Sequence, residues 1–424
     1  MGKFRVRKGS LRGEITVPPS KSQTLRAILF GAMGHGKSFV RGALESGDVR
    51  AMIAACGLFG AKIENEREGI SIEGVQGQIG ERSGVIDAGN SGIVLRFCTA
   101  IGSLGSGRIV VTGDESIRSQ RPMGDLIAGL RQLGVSVVSE KGFAPVHIQG
   151  PIRGKRAVVV GEDSQPVSAL LIASAFAENP IEICVENAGE KPWVGLTLDW
   201  FDRLRIPYRR EGFARYLMQG KLRVEGFDYT VPGDLSTAAF PIAAALITGS
   251  EVVIKNVDLK DAQGDKELIR VFQRMGAIIE VGDQILHVRR SGMLKGVKAD
   301  INDFVDGLTI LAVVACFAEG ETHIYNGAVA RQKECNRIAC ISQELKKMGA
   351  DVEETTDGLK IRRSDLKGAH VDSHHDHRMA LSLVVAGLGA EGETIVSPVA
   401  CIAKTFPTFL RDFNKLGAQI EEIA

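Results

Sequence analysis

No window of this sequence approaches the roughly eighteen uninterrupted apolar residues that a membrane-spanning helix requires, so no membrane partner is expected. The first ten residues, Met1 to Ser10, carry positive charge but have no apolar segment behind them; a secretory leader is therefore not expected, and a cytoplasmic location is. Charge of one sign is also missing. Lys and Arg total 52 against 51 Asp and Glu, a net of +1, which argues against a general nucleic-acid binder with its basic stripe. Any anion site must be a local concentration of cations. The seven cysteines (56, 98, 184, 316, 335, 340 and 401) are odd in number and lack both a C-x-x-C pair and a zinc spacing, which points to reduced thiols and no metal. Cys56, Cys98, Cys184 and Cys316 lie in apolar runs and read as small core residues. No G-x-S-x-G hydrolase elbow occurs.

Two motifs are present in form only. Gly31 to Ser38 spells a phosphate-binding G-x-x-x-x-G-K-S loop, but such a loop must follow a strand and open a helix. Here it follows an apolar helical segment and leads into a strand. His374-His-Asp-His377 looks metal-like, yet no second ligand cluster accompanies it; an Asp cap with a packed histidine is the simpler reading.

What the chain does have is internal repetition. A helical segment ending in Leu/Met-Gly-Ala/Val recurs at Gly60, Gly134, Gly276, Gly349 and Gly417, with Arg205-Ile206 in the third place, at intervals of about 70 residues. Most copies are followed by a hairpin-like stretch of alternating residues. The first half of each unit repeats too: a polar cluster, an apolar helix, a Gly turn and a strand. These clusters are Ser20-Lys-Ser22, Asn90-Ser-Gly92, Asp163-Ser-Gln165, Gly233 to Thr237, Asp303 to Asp306 and Asp376-His-Arg378. Each unit reads as βαβαββ, and six units consume the chain, giving an α/β fold of two similar lobes with three repeats each. Pro18-Pro19 and Val231-Pro232-Gly233 are the crossover points. One lobe is expected at 20–232 and the other at 1–19 with 233–424, with a substrate site in the cleft between them and the two crossings suited to hinge closure.

The charge pattern points to anions. A helix N-terminus carries about half a positive charge, so a cation in its first turn is disfavoured by roughly 0.3–1 kcal/mol. This chain is expected to place Lys21, Arg26, Arg121, Lys333, Arg337, Arg378 and Lys404 in such positions of successive units. A bound phosphate or carboxylate reverses the sign of that penalty. Asp306 and Glu334, set among these cations, are candidates for proton transfer.

These residues carry a resemblance. Pro19-Ser-Lys-Ser-x-x-x-Arg26, Gly89-Asn-Ser-Gly92 with Arg96, Arg121-Pro122, Ser164-Gln165, Lys191-Pro192, Gly233-Asp234, Asp306, Arg331-x-Lys-Glu-x-x-Arg337, Asp376-His-Arg378 and Ala403-Lys-Thr-Phe-Pro407 together resemble the 5-enolpyruvylshikimate-3-phosphate (EPSP) synthase family from end to end. The resemblance implies two inside-out α/β barrels that close over phosphoenolpyruvate and shikimate 3-phosphate, in aromatic amino acid biosynthesis, with no cofactor and as a monomer. It implies that Lys21, Gly92, Arg121, Gln165, Arg337, Arg378 and Lys404 hold phosphoenolpyruvate. Shikimate 3-phosphate would be held by Lys21, Ser22, Arg26, Ser164, Gln165, Asp306 and Lys333. Asp306 would accept the proton of the attacking 5-hydroxyl and Glu334 would protonate the methylene carbon, with Lys21 near both ligands as a third catalytic group.

The chain departs from the family's usual pattern in several places. Asp163 and Glu190 stand where serines are common near the sugar phosphate, Trp193 replaces Tyr, Val329 replaces Asn, Cys335-Asn336 replaces Thr-Asp, and Ile93 and Phe97 replace Thr and Pro. The bulkier Ile93 is expected to press Gly92 toward the phosphoenolpyruvate pocket and to weaken the inhibitor glyphosate more than substrate. Two other readings stay open at this point: a UDP-N-acetylglucosamine enolpyruvyl transferase, which shares the fold, and a non-catalytic anion-binding relative.

Overall fold

The computed structural model describes residues 2–290 and 292–423. They form two compact units, one of residues 19–231 and one of residues 1–18 with 232–424.

In the unit of residues 19–231, three four-stranded sheets share one plan. Gly84–Asp87 lies parallel to Arg108–Thr112, which pairs antiparallel with Phe143–Gln149, and that strand pairs with Ser136–Glu140. Arg156–Val160, Ile181–Glu186, Arg215–Met218 and Tyr208–Glu211 repeat the order. In the third sheet the leading parallel strand is Asp228–Thr230, beside Lys37–Arg41, then Gly69–Glu73 and Lys62–Glu66. The parallel pairs are joined through helices, as a crossover connection requires. Strands such as Arg108-Ile-Val-Val-Thr112 bury alternate residues, Ile109 and Val111, against those helices.

The other unit repeats this plan three more times. Arg12–Thr16 leads a sheet with Glu251–Lys255, Ile285–Arg290 and Ala277–Val281; Lys298–Asp300 leads one with Glu321–Tyr325, Leu359–Arg362 and Asp351–Glu354. In the last sheet His370–Asp372 is parallel to Glu393–Ser397, and the amino-terminal strand Lys3–Arg7 inserts between that strand and Gln419–Ile423. The strand that precedes the first apolar helix in sequence, Arg12–Thr16, thus belongs to one unit while that helix belongs to the other. Asp228–Thr230 makes the reciprocal exchange.

The first helix of each repeat is buried around most of its circumference and has little solvent face. Leu235–Thr248 is buried from Leu235 to Ile247, and Ser164–Phe176 from Pro166 onward. Gly92–Gly102 packs on Ser164–Phe176, and Leu308–Ala315 packs on His377–Gly389. Five of the six recurring turn residues, Gly60, Gly134, Gly276, Gly349 and Gly417, have φ between +81° and +106°. The left-handed conformation ends the second helix of each repeat at little steric cost when the residue is glycine. Arg205 adopts the same conformation at φ +56° without that freedom. Among the described residues no helix is long and apolar enough to cross a membrane.

Candidate active site: two charged clusters

In the unit of residues 19–231, three first helices present their N-termini to one cluster. Ser20, Ser91 and Asp163 cap Lys21–Met33, Gly92–Gly102 and Ser164–Phe176, each accepting a backbone N–H in the first turn. Lys21 Nζ lies 3.7 Å from Asp48, which stands in the first turn of Gly47–Phe59. Arg26 is 3% exposed. Its guanidinium donates to Thr197 Oγ1 at 3.0 and 3.1 Å, to the Ser22 carbonyl at 3.3 Å and to the Trp193 carbonyl at 3.4 Å, and it lies over the Phe97 ring at 5.2 Å. Every acceptor it meets is neutral. Burial therefore pulls its guanidinium below its ordinary value with no acid to offset the cost.

Beside it, Arg96 donates to Gln165 Oε1 at 2.9 Å and to the Pro122 carbonyl at 3.0 Å, and pairs with Asp163 at 3.2 Å. A Cβ at Gly92 would stand 3.0 Å from the tips of both Arg96 and Arg121 and 3.2 Å from Gln165 Oε1. Gly92, Arg121 and Gln165 therefore converge with Arg96, as the resemblance implied for the first three; Arg96 joins them without having been assigned a role. The clashing atoms are the far ends of side chains, so Gly92→Ala is expected to fold normally. If the ligand here is the phosphoenolpyruvate that the resemblance implies, displacing the two guanidinium groups should raise its KM roughly tenfold, about 1.4 kcal/mol; unchanged steady-state constants would refute that assignment. Ile93 packs partly against the hydrophobic core.

The two acids where the family has serines are occupied locally. Glu190 accepts from both the backbone N–H and the hydroxyl of Ser164 at 3.0 Å, and Asp163 accepts from Gln165 N at 2.9 Å. Both serve the start of the helix Ser164–Phe176 and counter the charge of Arg96.

The second cluster lies in the other unit and centres on Arg337, 1% exposed at the first position of Arg337–Lys347. It makes four hydrogen bonds to three carboxylates: Nε to Asp376 at 2.7 Å, Nη1 to Asp306 at 2.6 Å, and Nη2 to Glu334 at 2.6 Å and to Asp376 at 3.3 Å. Arg378 Nη2 takes the other oxygen of Asp306 at 2.8 Å, and Lys404 Nζ takes the other oxygen of Glu334 at 2.9 Å. Burial works to raise the Asp306 carboxyl, but Arg378, Arg337 and Lys333 outweigh it and hold the group well below the usual carboxylate range. Burial likewise opposes the charge on Arg337, and its three acid partners outweigh that and hold it above its ordinary value.

Glu334, Asp376 and His377 offer ligand atoms within 4.8 Å of one another, a geometry a metal could use. The carboxylates there are already hydrogen-bonded by Arg337 and Lys404, whose charges repel a cation. Asp376 caps His377–Gly389 by accepting from Arg378 N and Met379 N, and His377 is 1% exposed.

Two expectations need correction. Arg26, Arg121, Lys333 and Lys404 do not stand in the first turns of helices; Arg26 is in the second turn of Lys21–Met33, because that helix already starts at Lys21. Arg121 precedes Pro122, whose ring disfavours the helical conformation at the residue before it, and the helix starts at Gly124. Lys404 closes the short segment Ala400–Lys404, and the following helix waits until Phe409, beyond Pro407. Lys333 follows Ala328–Gln332 in a bend, ahead of the helix at Arg337. The cations of the second cluster are also not left facing one another: each of Arg337, Arg378 and Lys404 already holds a carboxylate.

Asp265 was not singled out in the sequence. It is buried before the helix Lys266–Arg274, accepts the Ser236 hydroxyl at 2.6 Å, and its other oxygen meets no donor among the described residues. Burial first, and then the charge of Asp306, pushes its carboxyl up to about 7. The signal that could have found it is repetition, since Asp48 occupies the corresponding helix start of the first repeat. With its folded pKa above the unfolded one of about 3.9, Asp265 contributes stability that is fully present below pH ~4 and lost as pH rises through ~7. Asp265→Asn is therefore expected to raise the melting temperature at pH 8 relative to the parent by the equivalent of ~1–3 kcal/mol, and by little or nothing at pH 4.5. Equal shifts at both pH values would contradict a protonated native Asp265.

Comparison with known proteins gives a consistent result. The sequence profile of EPSP synthase (3-phosphoshikimate 1-carboxyvinyltransferase) matches residues 6–413. A 3-phosphoshikimate 1-carboxyvinyltransferase of Chlamydia caviae is 40% identical over 423 residues, 99% of this chain and 94% of the relative. One of Acetivibrio thermocellus is 38% identical over 419 residues, 98% of this chain and 99% of the relative. The 2.37 Å structure of EPSP synthase from Acinetobacter baumannii superposes with a TM-score of 0.82 at 29% identity, covering all of both chains. With both charged clusters built from the residues that carried the resemblance, and a profile and relatives that span nearly the full length, the chain belongs to the EPSP synthase family.

Proposed function

We propose that this protein transfers the enolpyruvyl group of phosphoenolpyruvate to the 5-hydroxyl of shikimate 3-phosphate, releasing phosphate, and that both charged clusters serve this one reaction. Membership in the family supports the reaction. The observation that carries the chemistry is the second cluster: two carboxylates, the partly buried Asp306 and the buried Glu334, each gripped by cations that an anionic substrate would compete for.

On this reading each unit is an inside-out α/β barrel of three βαβαββ repeats, supported by three like-ordered sheets around fully buried helices. The protein works in the cytoplasm as a monomer. The shikimate phosphate binds Arg26, Ser22, Ser164, Gln165, Lys21 and Lys333, where Arg26 exchanges its neutral cage for an anion. Phosphoenolpyruvate binds Lys21, Gly92, Arg121, Gln165, Arg337, Arg378 and Lys404. Its carboxylate and phosphate draw Arg378 and Arg337 from Asp306, and losing those partners makes Asp306 a better base at the moment a base is needed. The 5-oxygen then attacks C2 of phosphoenolpyruvate, its proton passes to Asp306, and Glu334 protonates C3. From the tetrahedral ketal the C2–O bond to phosphate breaks, stabilised by Lys21, and C3 returns a proton, leaving the enol ether. Through its remaining bonds Arg337 keeps Glu334 and Asp376 in place.

The test is phosphate release with phosphoenolpyruvate alone, with shikimate 3-phosphate alone, with both, and with UDP-N-acetylglucosamine as the acceptor. Release only with both shikimate-pathway substrates is expected. Release with the UDP-sugar, or from phosphoenolpyruvate alone, would overturn the reading.

A further inference from the structure

The three first helices of the unit of residues 19–231 begin in two different ways. Lys21–Met33 and Gly92–Gly102 are capped by neutral serines, Ser20 and Ser91. The start of Ser164–Phe176 meets two carboxylates instead. Asp163 accepts from Gln165 N at 2.9 Å, and a single oxygen of Glu190, Oε2, accepts from both Ser164 N and Ser164 Oγ at 3.0 Å. An anionic oxygen between a helix-start N–H and a hydroxyl is also how proteins hold an oxygen of a phosphate. Glu190 reaches this position from a neighbouring element. It is the residue before the helix Lys191–Arg203, its side chain does not cap that helix, and it is 3% exposed. Its φ of +41° is one that few residues other than glycine adopt.

The start of Lys191–Arg203 also carries the acceptors of Arg26. Trp193 N donates to the Glu190 carbonyl at 2.9 Å, while the Trp193 carbonyl accepts from Arg26 at 3.4 Å and Thr197 Oγ1 accepts at 3.0 and 3.1 Å. Arg26 and the Glu190–Ser164 contact are thus carried by the same helix start. Arg26 pairs with no carboxylate among the described residues, and the buried carboxylate nearby is bound to two neutral donors.

We propose that the Glu190 carboxylate stands in for the phosphoryl group of the substrate, that the phosphate displaces it from Ser164, and that Glu190 thereby sets how tightly phosphorylated ligands are held. The inference rests on the reading above that places the shikimate phosphate at Ser164 and Arg26. Ser164 N and Oγ have one hydrogen each, so neither can serve carboxylate and phosphate fully at the same time. Two anions kept together in a buried site would also repel each other strongly. Exchange preserves both Ser164 bonds and adds those to Arg26; against it stands the loss of the carboxylate's own two donors. A ligand without a phosphate makes no exchange and leaves Glu190 where it is, so the acid discriminates between ligands by a contact that only an anion can replace.

The whole protein is titrated calorimetrically with shikimate 3-phosphate in the absence of phosphoenolpyruvate, beside Glu190→Gln, which keeps the shape and an acceptor oxygen but not the charge, and Glu190→Ser. Both variants should bind shikimate 3-phosphate roughly 10- to 100-fold more tightly than the parent, the range spanned by charge-assisted hydrogen bonds. Unphosphorylated shikimate should bind all three proteins alike. If Glu190 served only the fold, the variants would melt lower and hold shikimate 3-phosphate no better than the parent, and either that result or equal tightening toward shikimate overturns the proposal. The parent gives a further check through its heats in two buffers of different ionisation enthalpy near pH 8, where carboxylate and phosphate monoester are both ionised. Proton uptake there that Glu190→Gln lacks would mean that the acid stays and shares a proton with the phosphate, which excludes displacement. If shikimate 3-phosphate binds none of the proteins, the substrate reading fails by itself. Inorganic phosphate, titrated in the same way, still tests Glu190: tighter binding by Glu190→Gln supports displacement, and equal affinities refute it.

Discussion

Arg26→Ala is expected to raise KM for shikimate 3-phosphate roughly 30- to 150-fold while changing KM for phosphoenolpyruvate little. A charge-assisted bond to phosphate in a buried site is worth about 2–3 kcal/mol, and among the described residues Arg26 pairs with no carboxylate. Its neutral partners Thr197, Ser22 and Trp193 lose only weak acceptor roles when it is removed, so the folded protein should tolerate the change. Arg26→Lys should recover only part of the loss, since an ammonium cannot reach Thr197, two carbonyls and a phosphate in the planar geometry of guanidinium. Steady-state kinetics with each substrate varied in turn check this. Equal increases in both constants would mean that Arg26 supports the fold of the unit rather than one ligand.

The second large effect is at Asp306. Replacing it with Ala removes the proposed base and is expected to cut kcat by roughly 10²- to 10⁴-fold. The same change strips Arg337 and Arg378 of a carboxylate, so Asp306→Asn, which keeps the shape and an acceptor oxygen, separates chemistry from architecture. In the Asn variant kcat should remain low while KM for phosphoenolpyruvate stays level or falls, because two arginines no longer have to be drawn from a charged partner. A kcat within about threefold of the parent in the Asn variant would remove Asp306 from the chemistry, since general base catalysis contributes far more than that. Competition between substrate and Asp306 for the same arginines also explains why a group held so far below the usual carboxylate range can still act as a base.

Much of this was open to a reader of the sequence. The repeat of Gly60, Gly134, Gly276, Gly349 and Gly417 reports a backbone conformation that few other residues accept, so it survives as a visible period. The capping residues Ser20, Ser91, Asp163 and Asp376 mark helix starts because their side-chain bonds are local, reaching two or three residues along the chain. The cations at Lys21, Arg337 and Arg378 stand out because they oppose the helix dipole next to them. Positions outside such short-range rules were misplaced or missed. Arg121, Lys333 and Lys404 fall short of helix starts because proline and a bent backbone delay those helices by several residues.

Local chemistry thus settled which residues cap, which turn and which oppose their own helix, and through them the α/β repeats and the family. Pairing across the chain lay beyond it. Arg96 meets Asp163, and Arg337 gathers Asp306, Glu334 and Asp376, through contacts set by how buried helices stack. Charges tens of residues apart in sequence become neighbours only once apolar faces have packed, and burial then decides which of them keeps its proton.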